Sequence, residues 1–347
     1  MSQRISWIDI CKGIGILTVI YGHGLDGNSL RYLFYSFHIP LFFFLSGIVF
    51  HHKNHESLLK NINKAIKNIL LPYFLFAALG YIIWLFVTGF SRISFFTLLD
   101  QVHHTLYANG ALGHFFYNVV LWFLPCLFAT RILFTLITHF FEQKKYRVLS
   151  ILILGFCGYI ISHFFPSLKL PFGIETSLTA VVFFAAGFFW NSYQGKLKHL
   201  VHSQSLKFTL IFGGIWLVLA MINFSLTNRQ IDMRLNIFDN IFLFYPAAFA
   251  GIFTCISLSH KLEKNHVLEY LGKNSMQLFV WHLIVFTFLS KIILHYTTPQ
   301  TLGTLRNTFF APLYTFISII TILLILKFWR SRYYLLQKIR NSGIISS

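Results

Sequence analysis

Apolar blocks close to twenty residues long recur along the whole chain, and that recurrence restricts the fold more than any other feature. A helix needs about 20 apolar residues to cross the hydrocarbon core of a bilayer. Within that core only helices and closed barrels satisfy their own backbone hydrogen bonds. The blocks predict helices over approximately 8–25, 32–50, 69–89, 114–138, 147–165, 172–190, 206–226, 237–258, 275–297 and 308–329. The rest of the composition agrees: 56% of the residues are hydrophobic and 11% are charged, whereas a soluble globule carries about 25% charged residues. The longest connection, 90–113, is itself rather apolar, and Ser91 to Asp100 within it reads as a short interfacial helix. No repeat and no low-complexity linker divides the chain, so 1–347 is expected to be one domain. The expected fold class is all-α: a polytopic integral membrane protein with about ten transmembrane helices.

The formal net charge is +18, but the basic residues form short clusters between apolar blocks and build no stripe or tail. That distribution argues against nucleic-acid binding and follows the positive-inside rule. One set of connections holds Lys53, Lys60, Lys64 and Lys67; Lys144, Lys145 and Arg147; Lys196, Lys198 and Lys207; and Lys261, Lys264 and Lys273. The alternate connections hold only Arg31, Arg92, Lys169, Arg229 with Arg234, and Arg306. With Lys327, Arg330, Arg332, Lys338 and Arg340 after the last block, both termini are expected to face the cytoplasm, which an even helix count allows. Asp9 and Lys12 interrupt the first block and no small-residue cleavage site follows it, so a cleavable signal peptide is not expected. Cys11, Cys126, Cys157 and Cys255 lie in apolar blocks without ligand-like spacing and read as small buried hydrophobes. His51, His52 and His55, like His103 and His104, read as loop residues, and no metal is expected.

Ionisable side chains at membrane depth cost about 2.5–3.5 kcal/mol on insertion scales, so each is a candidate for function. The predicted spans contain Asp9, Lys12, His23, His38, Arg131, Glu175, Asp239, His282 and Lys291. Lys12 and His23 share the first helix, about 16 Å apart along its axis at 1.5 Å per residue. A neutral imidazole is inexpensive to embed and titrates near neutrality, so His23 can take a hydroxyl proton and return it to a leaving group. Such a base needs an orienting acceptor, which Glu175 or nearby Asp26 could supply. Lys12 and Arg131 could hold phosphate groups. Plainer roles exist for each group. A buried His can be satisfied by a carbonyl, and Asp9 and Lys12 can neutralise each other at i and i+3. Arg131 can pair within the helix packing, Asp239 and Lys291 can snorkel, and Glu175 can favour a helix N-terminus.

Several motifs occur in a fixed order. The opening Arg4, Asp9 and Lys12-Gly13-Ile14 lead to Gly22-His23, with ten residues between Lys12 and His23. The second reads His38-Ile39-Pro40-Leu41-Phe42-Phe43-Phe44-Leu45-Ser46-Gly47. Trp122-Phe123-Leu124, Phe183-Phe184 through Gly187, Gly272 with Ser275, and Trp281-His282 follow. This series resembles the integral membrane acyltransferase 3 family, especially bacterial fucose and polysaccharide O-acetyltransferases.

The resemblance implies transfer of an acetyl group from cytoplasmic acetyl-CoA to a sugar hydroxyl across the membrane. The acceptor would be a surface polysaccharide (O-antigen, capsule or exopolysaccharide) or its lipid-linked precursor, and the protein would lie in a bacterial inner membrane. Carried over residue by residue, His23 matches the family's helix-1 histidine and Lys12 its basic partner at the acyl donor. His38 with Ser46-Gly47 matches the second signature, Glu175 an acidic position of the fucose-acetylase-like branch, and His282 a recurrent helix-9 histidine. The expected catalytic set is therefore His23, Glu175, His38, His282 and Asp26, with Lys12, Arg131 and Asp9 toward the acyl-CoA. No hydrolase-like domain follows the tenth block, so the chemistry is expected within the membrane body. The competing classes are a proton-coupled transporter or flippase that uses the intramembrane His and Glu, and a structural subunit with polar residues as helix-packing glue.

Overall fold

The computed structural model describes residues 5–25, 29–51, 57–89, 92–112, 118–193, 195–296, 298 and 311–341. Among these residues the regular structure is helical, with one isolated antiparallel bridge, Asp232 to Ile237, and no strand. Eight helical stretches are long and apolar enough to cross a membrane: Leu58–Thr88, Val119–Phe140, Lys144–Phe164, Pro171–Ser192, Ser205–Thr227, Ile241–Lys261, Ser275–Tyr296 and Ala311–Ser331. The chain is thus an all-α, multi-pass membrane protein.

The other two expected spans take different forms. The first is α1 (Ser6–Gly24), a single helix with Asp9 in its first turn and His23 in its last. The continuous helix expected over 32–50 is not formed. It is broken into α2 (Ser29–Tyr35) and α3 (His38–Ile48), with Ser36 and Phe37 between them. Pro40 accounts for the break. A proline ring collides with the carbonyl four residues earlier and removes one helical hydrogen bond, which places the disruption at Ser36. The Trp216 indole N–H donates to Ser36 Oγ at 2.9 Å, and Ser36 Oγ donates to the Leu33 carbonyl at 2.6 Å, fixing the corner.

The third helix begins eleven residues before the expected 69–89 span. Here α4 (Leu58–Ala65) continues through a π-turn at Ile66–Leu70 into α5 (Leu71–Thr88). The interfacial helix expected over 91–100 is α6 (Phe95–Tyr107), displaced because the Ser94 hydroxyl caps it by accepting from the Thr97 amide at 3.1 Å. The remaining spans are α7 (Phe123–Phe140), α8 (Lys144–Phe164), α9 (Ile174–Ser192), α11 (Ser205–Thr227), α12 (Ile241–Lys261), α14 (Ser275–Tyr296) and α15 (Ala311–Asn341). Two basic connections fold as the short helices α10 (Lys196–Ser203) and α13 (His266–Lys273).

These helices form a core and an outer set. Buried residues make up 72% of the apolar stretch in Val119–Phe140 and 56% in Pro171–Ser192 and Ile241–Lys261, but 17% in Lys144–Phe164 and 11% in Ser205–Thr227. The exposed Leu149, Leu152, Ile153 and Phe156 of α8, and Leu210, Val218 and Met221 of α11, are therefore lipid-facing rather than core residues. Inside, two crossings are closed by reciprocal glycines. A Cβ on Gly13 would overlap the Leu268 carbonyl and one on Gly272 the Asp9 carbonyl, where α1 meets α13. A Cβ on Gly47 would overlap the Phe184 carbonyl and one on Gly187 the Phe44 carbonyl, where α3 meets α9. With lipid outside, helices associate through this kind of close backbone approach. It fixes α1 and α3, the carriers of His23 and His38.

Candidate active site

Three histidines from three helices converge at the C-terminal end of α1. The His23 and His282 rings lie 5.2 Å apart. Tyr35 lies between the other pair, with its ring 5.8 Å from His23 and 4.8 Å from His38. The break at Ser36–Phe37 makes this possible, because Tyr35 ends one helical segment and His38 begins the next. Together with Arg31, Val119, Val120, Trp122, Asp232, Met233, Arg234 and Phe279, residues His23, Tyr35 and His38 line a cavity of about 220 Å³.

The hydrogen bonds assign protons in this cluster. His282 Nδ1 lies 2.7 Å from the Phe279 carbonyl and 3.2 Å from that of Leu278. Carbonyls only accept, so Nδ1 carries the hydrogen. In the neutral ring the lone pair is then on Nε2, which is buried without a hydrogen-bond partner. His23 Nδ1 lies 3.3 Å from the Tyr35 hydroxyl, which accepts from Arg31 Nη2 at 3.4 Å. The Arg31 guanidinium lies 5.1 Å from the Tyr35 ring centroid, and its Nη1 donates to the Leu25 carbonyl at 3.2 Å. Arg31 therefore holds Tyr35, and Tyr35 meets His23. With Nδ1–H donating to the phenol oxygen, His23 would present the Nε2 lone pair as a base.

Glu175 is buried and is not among the residues that line this cavity. Its Oε1 accepts from Asn109 Nδ2 at 2.7 Å and its Oε2 from the Leu170 amide at 3.1 Å. Its described partners are therefore loop groups and not an imidazole. Asn109 Nδ2 also donates to the Leu170 carbonyl at 2.7 Å, and Tyr107 donates to the Lys169 carbonyl at 2.6 Å. The same lock reaches the loop over the cavity. Thr176 donates to the Met233 carbonyl at 3.1 Å, Lys169 to that of Leu235 at 3.1 Å, and Arg234 to that of Gly110 at 3.0 Å. Burial pulls the Lys169 ammonium below its usual pKa range, and the Glu175 carboxylate opposes that pull. Asp232 accepts from the Arg234 amide at 2.9 Å and approaches its guanidinium at 3.5 Å, which sets Arg234 at the cavity wall.

The opposite end of α1 opens onto a larger cavity of about 590 Å³, with Ile5, Ile8, Asp9, Lys12, Ile48, Met276 and Lys273 in its walls. Lys12 Nζ lies 3.5 Å from Asp9 Oδ1, while Asp9 Oδ2 is buried without a hydrogen-bond partner. The cavity thus sets the Lys12–Asp9 pair and Lys273 in a largely apolar surround. Arg131 is not among the walls of this cavity; its guanidinium lies 5.3 Å from the centroid of the Phe50 ring. Asp26, the second expected orienting acid, lies outside the described residues. Asp239 sits before α12 at a positive φ and accepts from the Thr227 hydroxyl at 3.0 Å, and Lys291 is exposed, so both are peripheral.

Sequence reasoning brought His23, His38 and His282 to attention and missed Arg31, Tyr35, Asp232 and Arg234 as cavity residues. One available signal was Pro40, which implies a break four residues earlier and hence polar groups turned inward. The loop residues gave no local signal, since Arg234 meets Gly110 across 124 positions.

All four cysteines are free, and Cys11, Cys126 and Cys255 are buried. The assembled site thus has a two-ended plan, with imidazoles and a phenol at one end of α1 and a lysine at the other. No curated protein and no solved structure matches the chain. The family model for an acyltransferase domain matches residues 5–328, nearly the whole chain. With that match over eight membrane-length helices and the histidine cluster they enclose, the chain belongs to the acyltransferase 3 family and is a membrane acyltransferase.

Proposed function

We propose that this protein is an O-acetyltransferase of the bacterial inner membrane. It moves an acetyl group from cytoplasmic acetyl-CoA to a sugar hydroxyl of a surface polysaccharide or its lipid-linked precursor. The observation that carries this reading is the placement of Lys12 and His23 on one helix with a separate cavity at each end. The distribution of basic loops supports a cytoplasmic Lys12 end and cytoplasmic termini, the side where acyl-CoA is found.

In this scheme Lys12 and Lys273 meet phosphates of the donor, and the flexible pantetheine arm carries the thioester along α1 toward His23. The acceptor hydroxyl enters the 220 Å³ cavity, where Trp122 offers an aromatic face and Arg31 and Arg234 offer guanidinium edges. His23 Nε2 takes the hydroxyl proton as the oxygen attacks the thioester carbonyl. The carbon–sulfur bond breaks, and the CoA thiolate leaves with a proton returned by the imidazolium. Tyr35 keeps the ring oriented through Nδ1, and the His282 ring packs beside it at 5.2 Å.

The test is transfer of label. Purified protein is incubated with acetyl-labelled CoA and candidate glycans, and the sugar is then isolated. Label on the glycan with wild type, and its loss in a His23→Ala protein that elutes as a folded species, is the expected result. A folded His23→Ala protein that still acetylates at the wild-type rate would overturn the assignment. Absence of CoA binding would favour the transporter class.

A further inference from the structure

A second cluster of histidine and carboxylate lies outside both cavities, beside the first turn of α1. It joins His202 of α10, His260 in the last turn of α12, and Glu263 just beyond that helix. Glu263 Oε1 lies 2.9 Å from His260 Nδ1 and 3.5 Å from His202 Nε2, and the two rings are 4.8 Å apart. One ligand atom from each residue falls within 4.8 Å of the others.

Two ligands held about 2.1 Å from a tetrahedral zinc ion are about 3.4 Å apart. The two nitrogen-to-oxygen separations bracket that value, and the three ligand atoms lie within 4.8 Å of one another, so an ion is admitted by drawing the two imidazoles together around it. Two imidazoles and one carboxylate are a donor set suited to Zn²⁺ and its first-row neighbours. The side chains of His202 and Glu263 are 56% and 40% exposed, which leaves access for an ion and room for a water as fourth ligand. His260 is the anchored member. Its ring packs 4.9 Å from Trp7, and the Ser6 hydroxyl donates to the Glu263 carbonyl at 3.4 Å.

We propose that His202, His260 and Glu263 form a divalent transition-metal site that clips α10 to the end of α12, against the start of α1. The site stands independently of the acyl-transfer reading. Its geometry gives it a mechanical consequence. Trp7 lies in the same first turn as Asp9, and Lys12 is one turn further on, so the clip holds the part of α1 that forms the larger cavity. Lys198, Lys261 and Lys264 lie on or next to the contributing segments, and their charge opposes a bound cation. The Glu263 carboxylate is therefore the member whose charge the site needs most. Because His260 Nδ1 and His202 Nε2 must both be unprotonated to bind, affinity falls as the pH drops.

The experiment uses the full chain, purified through a tag without histidines, stripped with a chelator and titrated with Co²⁺ and then Zn²⁺. Expected are one equivalent of Co²⁺ with the visible absorption of a tetrahedral site, its displacement by Zn²⁺, and affinity at least about 10-fold weaker in His202→Ala and Glu263→Gln. His202 is exposed, so its substitution tests the ligand role even if a change at His260 disturbs the Trp7 contact. His103→Ala serves as a control and should bind like wild type. Non-saturating Co²⁺ binding would overturn the proposal. So would binding that changes less than tenfold in both variants, since the ion would then be held elsewhere.

Discussion

The two ends of α1 open onto cavities built from different materials. At the Lys12 end the walls are Ile5, Ile8, Ile48 and Met276 around the Lys12–Asp9 pair and Lys273, in a space of about 590 Å³. At the His23 end the space is about 220 Å³, and imidazole, phenol, guanidinium and indole groups crowd it. Few groups at the first end have fixed hydrogen-bond geometry; Lys12 reaches Asp9 at 3.5 Å and is partly exposed. At the second end the polar groups are tied in series, through Arg31 on Tyr35, Tyr35 on His23, and backbone carbonyls on His282. A loose, largely apolar chamber with two lysines in its walls suits retention of a large, flexible ligand. A tight, preorganised chamber suits positioning of a small reacting group, where misplacement is costly. On the proposed function, the two ends should therefore fail differently when damaged.

The largest effect is expected at His23. Removing a general base typically costs about 10²–10⁴-fold in turnover. His23→Ala should lower kcat by that amount while the protein still binds acyl-CoA with near wild-type affinity, as measured by calorimetry. Loss of CoA binding in a folded His23→Ala protein would break the division between the ends. The next effect belongs to Lys12. A hydrogen bond to a charged group contributes about 1.5–3 kcal/mol, so Lys12→Gln should raise KM for acetyl-CoA on the order of 10–100-fold with kcat nearly kept. Steady-state kinetics with varied acetyl-CoA decide this, and a fall in kcat at unchanged KM would place Lys12 in the chemistry instead.

How much of this was legible in the sequence depends on the distance over which each feature is determined. The spans are local, because bilayer thickness turns composition directly into helix length. His23, His38 and His282 also showed themselves locally, as polar side chains in apolar surroundings. The break between α2 and α3 was legible through Pro40, but hydropathy averages over it and predicts one helix. Gly13, Gly47, Gly187 and Gly272 stood out as motif positions, while their reason, reciprocal contact with a facing backbone, needs both helices to be seen. Glu175 shows the limit of the cost argument. A buried acid reads as functional by default, yet its two described hydrogen bonds are to Asn109 and Leu170. Asp232 and Arg234 lie in a connection that hydropathy treats as a spacer, and only long-range folding brings them over the histidines.

Within the His23 end, Tyr35 and Glu175 test how the order is maintained. Tyr35→Phe keeps the ring against His38 but deletes the oxygen that meets His23 and Arg31. A neutral hydrogen bond contributes about 1 kcal/mol, so kcat should fall on the order of 5-fold with KM for acetyl-CoA unchanged. An equal fall in a Tyr35→Phe and a Tyr35→Ala protein would support orientation through the hydroxyl, whereas an unchanged kcat in Tyr35→Phe would remove Tyr35 from the proton path.

The smallest effect on turnover is expected from Glu175→Gln. One of its oxygens becomes an NH₂ group facing either Asn109 Nδ2 or the Leu170 amide, both of which are donors in the present arrangement. Two donors then oppose each other in a buried place, a loss of about 1–3 kcal/mol. The loss falls on the loop lock and not on the reacting atoms. The folded fraction surviving a heat step, read by size-exclusion chromatography, should drop, while kcat per folded molecule stays within about 2-fold of wild type. The opposite pattern, unchanged heat resistance with a kcat lowered about 100-fold, would mean that Glu175 handles a proton during turnover. The histidine chamber would then extend beyond its walls.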